Sequence, residues 1–174
     1  INRIFEFVPP VNGVPQGNYE PVIRLFAPTQ LQVGGVNLNY KPNENNTVGV
    51  ELATSKNDLN LFSEKDKGDD NGFAGRILWD RRLLMKENGA RLDIFARYNY
   101  IHKNFTSVER FYNVEFDRDW HLPVTQGNLQ DMKAHQSFLV SGLSWFHPEK
   151  GRASYEFQKL DFDEIFSGNR QVLN

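Results

Sequence analysis

The sequence predicts an all-β protein, an antiparallel up-and-down meander that forms a β-barrel or a segment of a larger barrel. Three observations lead there. Apolar and polar residues alternate in run after run. In Arg91 to Tyr100, Leu92, Ile94, Ala96, Tyr98 and Tyr100 share one side, and Arg91, Asp93, Arg97 and Asn99 share the other. Successive side chains of a strand point to opposite faces, so each run describes a sheet with one apolar and one wet surface. The runs are about ten residues long, which suits a tilted membrane crossing and exceeds the five to six or so usual in soluble sheets. Finally, short turns alternate with longer loops, and no stretch between Leu31 and Leu160 has helical periodicity. A soluble sandwich is also built from turn-punctuated strands and stays open as an alternative.

Residues 1–30 read as an extended arm or edge strands. Pro9-Pro10, Asn12-Gly13, Pro15 and Gly17-Asn18 punctuate two apolar pieces, Ile4 to Val8 and Tyr19 to Phe26. Proline cannot donate to a strand ladder, which confines such pieces to edges. Residues 31–174 form the meander. Leu31 to Lys41 and Thr47 to Ser55 flank the polar turn Asn43–Asn46 and make a hairpin. A polar connection follows, from Ser55 to Gly72. Phe73 to Leu84 and Arg91 to His102 flank the turn Glu87–Gly89. Lys103-Asn104 leads into Thr106 to Arg118, read as a strand because Val108, Tyr112, Val114 and Phe116 oppose Glu109, Asn113, Glu115 and Asp117. After Pro123 and Gly127 come Gln136 to His147, the turn Glu149–Gly151, and Arg152 to Leu160.

Composition narrows the function classes. Lys and Arg number 20 against 22 Asp and Glu, so the net charge of −2 gives no basis for nucleic-acid binding, and the strip Arg81-Arg82 with Lys86 is too short to supply one. A mean hydropathy of −0.58 excludes a bundle of membrane helices but not a barrel, whose strands alternate. With no cysteine there is neither a disulfide framework nor a thiolate metal site. The chain opens Ile1-Asn2-Arg3, without an initiator Met or a signal peptide, and is expected to be an excised segment of something longer.

Val36 to Pro42 followed by Asn46 to Ser63 resembles hairpins of large outer-membrane β-barrels of Bacteroidetes-type bacteria. Gly17-Asn18-Tyr19 and Val114 to Trp120 are similar to phrases of the same surface proteins. The resemblance implies an envelope location and a structural or transport role, and it brings no catalytic residues. Such barrels usually end in an aromatic residue, and Asn174 departs from that, which again implies an internal piece.

Candidate sites follow from the two faces. Glu51, Arg76, Asp80, Asp93, Arg97, Glu109, Glu115, Arg152 and Glu156 form the polar set, which would line a lumen or the solvated side of a soluble sheet. Tyr40, Trp79, Tyr98, Tyr100 and Trp145 are candidate membrane-interface aromatics, or else core rings. In Gln136 to His147, Leu139 and Leu143 face one way and Phe138 and Val140 the other, as in a strand covered on both sides. Asp66, Asp69 and Asp70 are oxygen ligands at close spacing and a weak Ca²⁺ candidate, although Lys65 and Lys67 would oppose a cation. His102, His121, His135 and His147 are scattered. No nucleophile motif or phosphate loop is present, so no catalytic residue and no cofactor is expected.

The expected function is a structural or transport segment of a bacterial outer-membrane β-barrel with a polar lumen and extracellular loops. Its partners would be the lipid bilayer and the remaining strands of a longer parent chain or other envelope proteins, with no nucleic acid. The alternative is a secreted or cell-surface β-sandwich that binds carbohydrate. A weaker one is a glycan-active enzyme using a carboxylate pair such as Glu109 and Glu115.

Overall fold

The computed structural model describes residues 6–18, 26–65, 67–122, 133–163 and 165–174. It is all-β, as the alternation predicts. Seven strands, β1 (Gln30–Asn43), β2 (Asn46–Asp58), β3 (Asn71–Met85), β4 (Arg91–Ile101), β5 (Gln136–His147), β6 (Gly151–Phe162) and β7 (Phe166–Leu173), lie in one sheet. Each strand pairs antiparallel with its sequence neighbours, so spatial order equals chain order. Of the two forms expected, a barrel or a segment of one, the strands make an open sheet. β1 and β7 do not meet, and the sheet is not closed into a barrel. Closure needs the two edge strands to bond to each other at a consistent tilt and stagger, and these seven strands leave both edges open.

The three predicted hairpin turns form where their residues place them. Asn43 Oδ1 accepts from the Asn45 amide at 3.0 Å, and Asn88 Oδ1 accepts from the Ala90 amide at 3.1 Å. Gly89 and Gly151 take the left-handed backbone that these tight turns require, at φ 78° and 94°. All three short turns lie at one end of the sheet. The other end carries the long connections β2–β3 and β4–β5, together with the tight β6–β7 turn at Asp163.

One strand expectation is corrected. Thr106 to Arg118 is not a strand. It is irregular chain with one helical turn, α1 (Phe116–Asp119). The alternation there is incidental, and the spacing that counts is Tyr112, Phe116 and Trp120, four residues apart. Tyr112 stacks on Phe116 with centroids 3.9 Å apart. Within the expected 31–174 meander the last strand is β7, which alternation does not single out because Gly168 and Arg170 interrupt the side that carries Phe166 and Val172. The β2–β3 connection contains a short 3-10 turn, Lys67–Asp69. In the arm, Val11 and Val14 bridge around Asn12 and Gly13, while Ile4, Phe5 and Tyr19 to Leu25 lie outside the described residues.

The register sorts the side chains into two faces. One face carries Val36, Leu38 and Tyr40 of β1, Val48, Val50 and Leu52 of β2, Ile77 and Trp79 of β3, Ile94, Ala96 and Tyr98 of β4, and Leu139, Leu143 and Trp145 of β5. Nothing among the described residues covers its centre. Leu38 is 60% exposed and Ile77 50%. The core lies on the opposite, polar face, at the long-loop end, where Phe116 and Trp120 pack on Leu160 and Phe162. Phe138 is the hub, meeting Tyr112, Phe116 and Trp120 edge to face at 6.3, 5.7 and 5.7 Å. β5 is apolar on both faces because the β4–β5 connection covers one of them.

Candidate functional site

The polar face below that core is a ladder of charges and amides crossing the strands. Arg76 donates from Nε to Asn99 Oδ1 at 2.8 Å and pairs through a terminal nitrogen with Glu51 Oε2 at 3.4 Å. Glu51 Oε1 accepts from Asn37, and Asn37 Oδ1 accepts from Asn39 at 2.8 Å. Nearer the short turns, Asp93 is held between Arg82 at 3.0 Å and Arg91 at 3.3 Å, and Arg97 reaches Asp80 at 3.7 Å. Arg97 also lies over the Phe95 ring, and Arg91 over Phe146. Arg152 donates to Ser144, and Gln158 to Glu156. These pairs are half exposed, so each contributes little to stability alone.

Seven of the nine predicted polar residues share this face: Glu51, Arg76, Asp80, Asp93, Arg97, Arg152 and Glu156. Glu109 and Glu115 do not, because the segment that carries them is not a strand. Glu115 instead stands at the N-cap position of α1 and pairs with Arg118 at 2.5 Å. Sequence reasoning missed Arg82, the last residue of the regular β3–β4 register before the bulge, where it stands opposite Asp93. The five aromatics Tyr40, Trp79, Tyr98, Tyr100 and Trp145 all lie on the apolar face. Tyr40 stands three residues before the Asn43–Asn46 turn and Trp145 four before the Glu149–Gly151 turn, and Trp79 donates to Asn46 Oδ1 beside the β1–β2 turn at 2.8 Å. At the other end, Phe73, Tyr100, His102 and His135 form a ring stack, with Tyr100 Oη 2.9 Å from His135 Nδ1. Burial, then the neighbouring His135 and Lys103, hold His102 below its ordinary pKa.

The β4–β5 connection crosses the top of the polar face. A Cβ on Gly72 would lie 2.3 Å from the Phe105 backbone, the closest approach in the sheet. The Thr106 amide donates to the buried Ser55 hydroxyl at 2.9 Å, and the His102 amide to the Phe73 carbonyl at 2.9 Å. Beneath the connection lies a cleft of about 160 Å³, lined by Glu51, Arg76 and Asn99 on the sheet and by Phe111 and Tyr112 above. Ala53 and Ala74, paired across β2 and β3, leave the room for it. Burial pushes the Tyr112 hydroxyl up to about 12, against the pull of Arg76.

The acidic loop holds a different arrangement from a calcium cradle. Asp66 lies outside the described residues. Asp69 pairs with Lys133 at 2.7 Å, a hydrogen bond that lowers its pKa and ties the two long connections together. Asp70 is buried at 5% exposure, and its Oδ2 has no hydrogen-bond partner among the described residues. No group of three acidic or imidazole side chains converges among the described residues. No protein family, curated protein or solved structure matches this chain.

Proposed function

We propose that this chain is part of the wall of a bacterial outer-membrane β-barrel, with its apolar face against lipid and its charged face lining the lumen. The single observation that carries this reading is the division of the sheet. The face whose centre no described residue covers is apolar, whereas the face crossed by the β4–β5 connection is charged and hydrogen-bonded. A soluble sheet buries its apolar side and wets its polar one. Here the core lies on the charged side, and the apolar side is left for another apolar medium.

Several further features support it. Strands β1–β6 run 11 to 15 residues. From Leu92 to Tyr100 the apolar side of β4 extends roughly 27 Å at about 3.4 Å per residue, which at a tilt of about 40° approaches the ~25 Å band of such barrels. Aromatic rings flank an aliphatic centre, as at a lipid–water boundary. Short turns at one end and two long connections at the other match periplasmic turns and extracellular loops. Charges on the apolar side are few: Arg81 lies opposite Asn46 and Ile94, and Lys159, opposite Leu139, pairs with Asp161 at 3.5 Å. β7 places Ser167, Asn169 and Gln171 on that side, so the lipid-facing surface belongs to β1–β6. The open edges of β1 and β7 would be paired by the remaining strands of a longer barrel.

Detergent dependence tests the proposal. The chain is expected to be monodisperse in micelles and to associate when the detergent is removed. A chain that stays monomeric and folded in plain buffer refutes it.

A further inference from the structure

We propose that the cleft between the ladder and the β4–β5 connection is a binding site for a small neutral polyhydroxylated solute, of the size of one sugar ring. The proposal deepens the lumen reading by giving the polar face a solute class, but the chemistry of the cleft does not depend on where the apolar face lies.

Charge comes first. The cleft holds one cation and one anion, Arg76 and Glu51, already 3.4 Å apart and paired. An anionic solute would have to displace Glu51 from Arg76, and a cationic one would have to displace Arg76 from Glu51. A solute without charge displaces neither. Hydrogen-bonding capacity comes second. Arg76 uses Nε on Asn99 and one terminal nitrogen on Glu51, so among the described residues its other terminal nitrogen and the Asn99 amide N–H groups remain as donors. The Glu51 carboxylate has lone pairs beyond the two it uses. Adjacent donors and acceptors of this kind match hydroxyl groups, each of which donates and accepts at once.

The wall comes third. Phe111, 36% exposed, and Tyr112 give the cleft an aromatic side suited to the C–H face of a sugar ring, while the floor addresses its hydroxyls. Sites for small molecules are mostly apolar, with a few placed polar groups, which is the balance here. The volume of about 160 Å³ confines the solute to a single ring. A ligand that small, making few contacts, binds with a Kd of about millimolar.

Saturation-transfer NMR on the folded chain tests this with methyl β-glucopyranoside, methyl β-galactopyranoside, glycine and inorganic phosphate as probes. We expect at least one glycoside to receive saturation, strongest at its ring C–H protons, and glycine and phosphate to receive none. Asn99→Ala and Phe111→Ala should each abolish the signal, with far-ultraviolet circular dichroism confirming an intact sheet, and Leu38→Ala on the other face should preserve it. No transfer to either glycoside, transfer that survives both cleft variants, or preferential binding of glycine or phosphate overturns the proposal. Detergent dependence reads the apolar face alone, so either reading can fail without the other.

Discussion

Gly72 and Phe105 are in backbone contact that admits no side chain on Gly72: a Cβ there would stand 2.3 Å from both N and Cα of Phe105. Backbone cannot yield as a flexible side chain does, so this contact fixes where the β4–β5 connection turns onto the charged face. The Thr106 bond to Ser55 and the packing of Phe116 and Trp120 on Leu160 and Phe162 hold it there.

Gly72→Ala should therefore lift the connection off the sheet or cost about 1–3 kcal/mol of overpacking. Limited proteolysis within 106–122 and the emission of Trp120 report the displacement. Gly34→Ala is the matched control, because nothing lies within 4 Å of a Cβ there, and it should change stability by less than about 0.5 kcal/mol. Equal effects from the two substitutions would contradict the anchoring role of Gly72.

The position of the core makes a second prediction. Leu160 is fully buried under the connection, and Leu160→Ala should cost about 2–5 kcal/mol. Leu38, also in a strand, is 60% exposed, so Leu38→Ala should change little in micelles, within about 0.5 kcal/mol. Denaturant midpoints of the two variants measure the contrast. A larger loss at Leu38 would place the core on the wrong face.

Alkaline titration gives a third. Tyr112 has its pKa raised to about 12 by burial, against about 10 when unfolded. The unfolded chain thus releases this proton first as pH rises. The stability due to a neutral Tyr112 is complete below about pH 10 and is lost as pH climbs towards 12. Burial also raises Tyr100, so absorbance at 295 nm should show Tyr112 as the last tyrosine to titrate, and Tyr112→Phe should remove that last phase. A last phase that persists unchanged in Tyr112→Phe belongs to another residue.

The charge ladder gives a fourth. Arg82 and Asp93 are each about one-third exposed, so Asp93→Asn should cost no more than about 1 kcal/mol, and raising the salt should shrink that difference. A loss of several kcal/mol, independent of salt, would mean that the ladder holds the sheet together.

How much of this was legible depended on parity. Asn43–Asn46, Glu87–Gly89 and Glu149–Gly151 are turn chemistry between period-two runs, and the faces of Leu92 to Tyr100 could be read directly from alternation. Antiparallel register carries one strand's parity to the next, so the polar and aromatic sets separated correctly wherever they lay on strands. The reading failed where alternation misled or was missing. Val108 to Phe116 alternates by accident, and its four-residue aromatic spacing was the better signal. β7 sets Phe166 and Val172 on one side but interrupts them with Gly168 and Arg170, which left too short a pattern. The cleft joins Arg76 to Phe111 and Tyr112 through a chain reversal at Gly72, and no local pattern encodes that contact.

The most direct test of the central proposal, that the apolar face meets lipid, uses the absence of native cysteine. Single cysteines placed from Leu92 to Tyr100 of β4 would carry a polarity-sensitive fluorophore, with the chain reconstituted in phospholipid vesicles. The account predicts a two-residue alternation: probes at 92, 94, 96 and 98 quenched by bromolipid, and those at 93, 95, 97 and 99 quenched by iodide. Ala96→Arg, at the midpoint of that run, should oppose insertion by about 2–4 kcal/mol. Iodide quenching at every position, with no response to bromolipid, would contradict it.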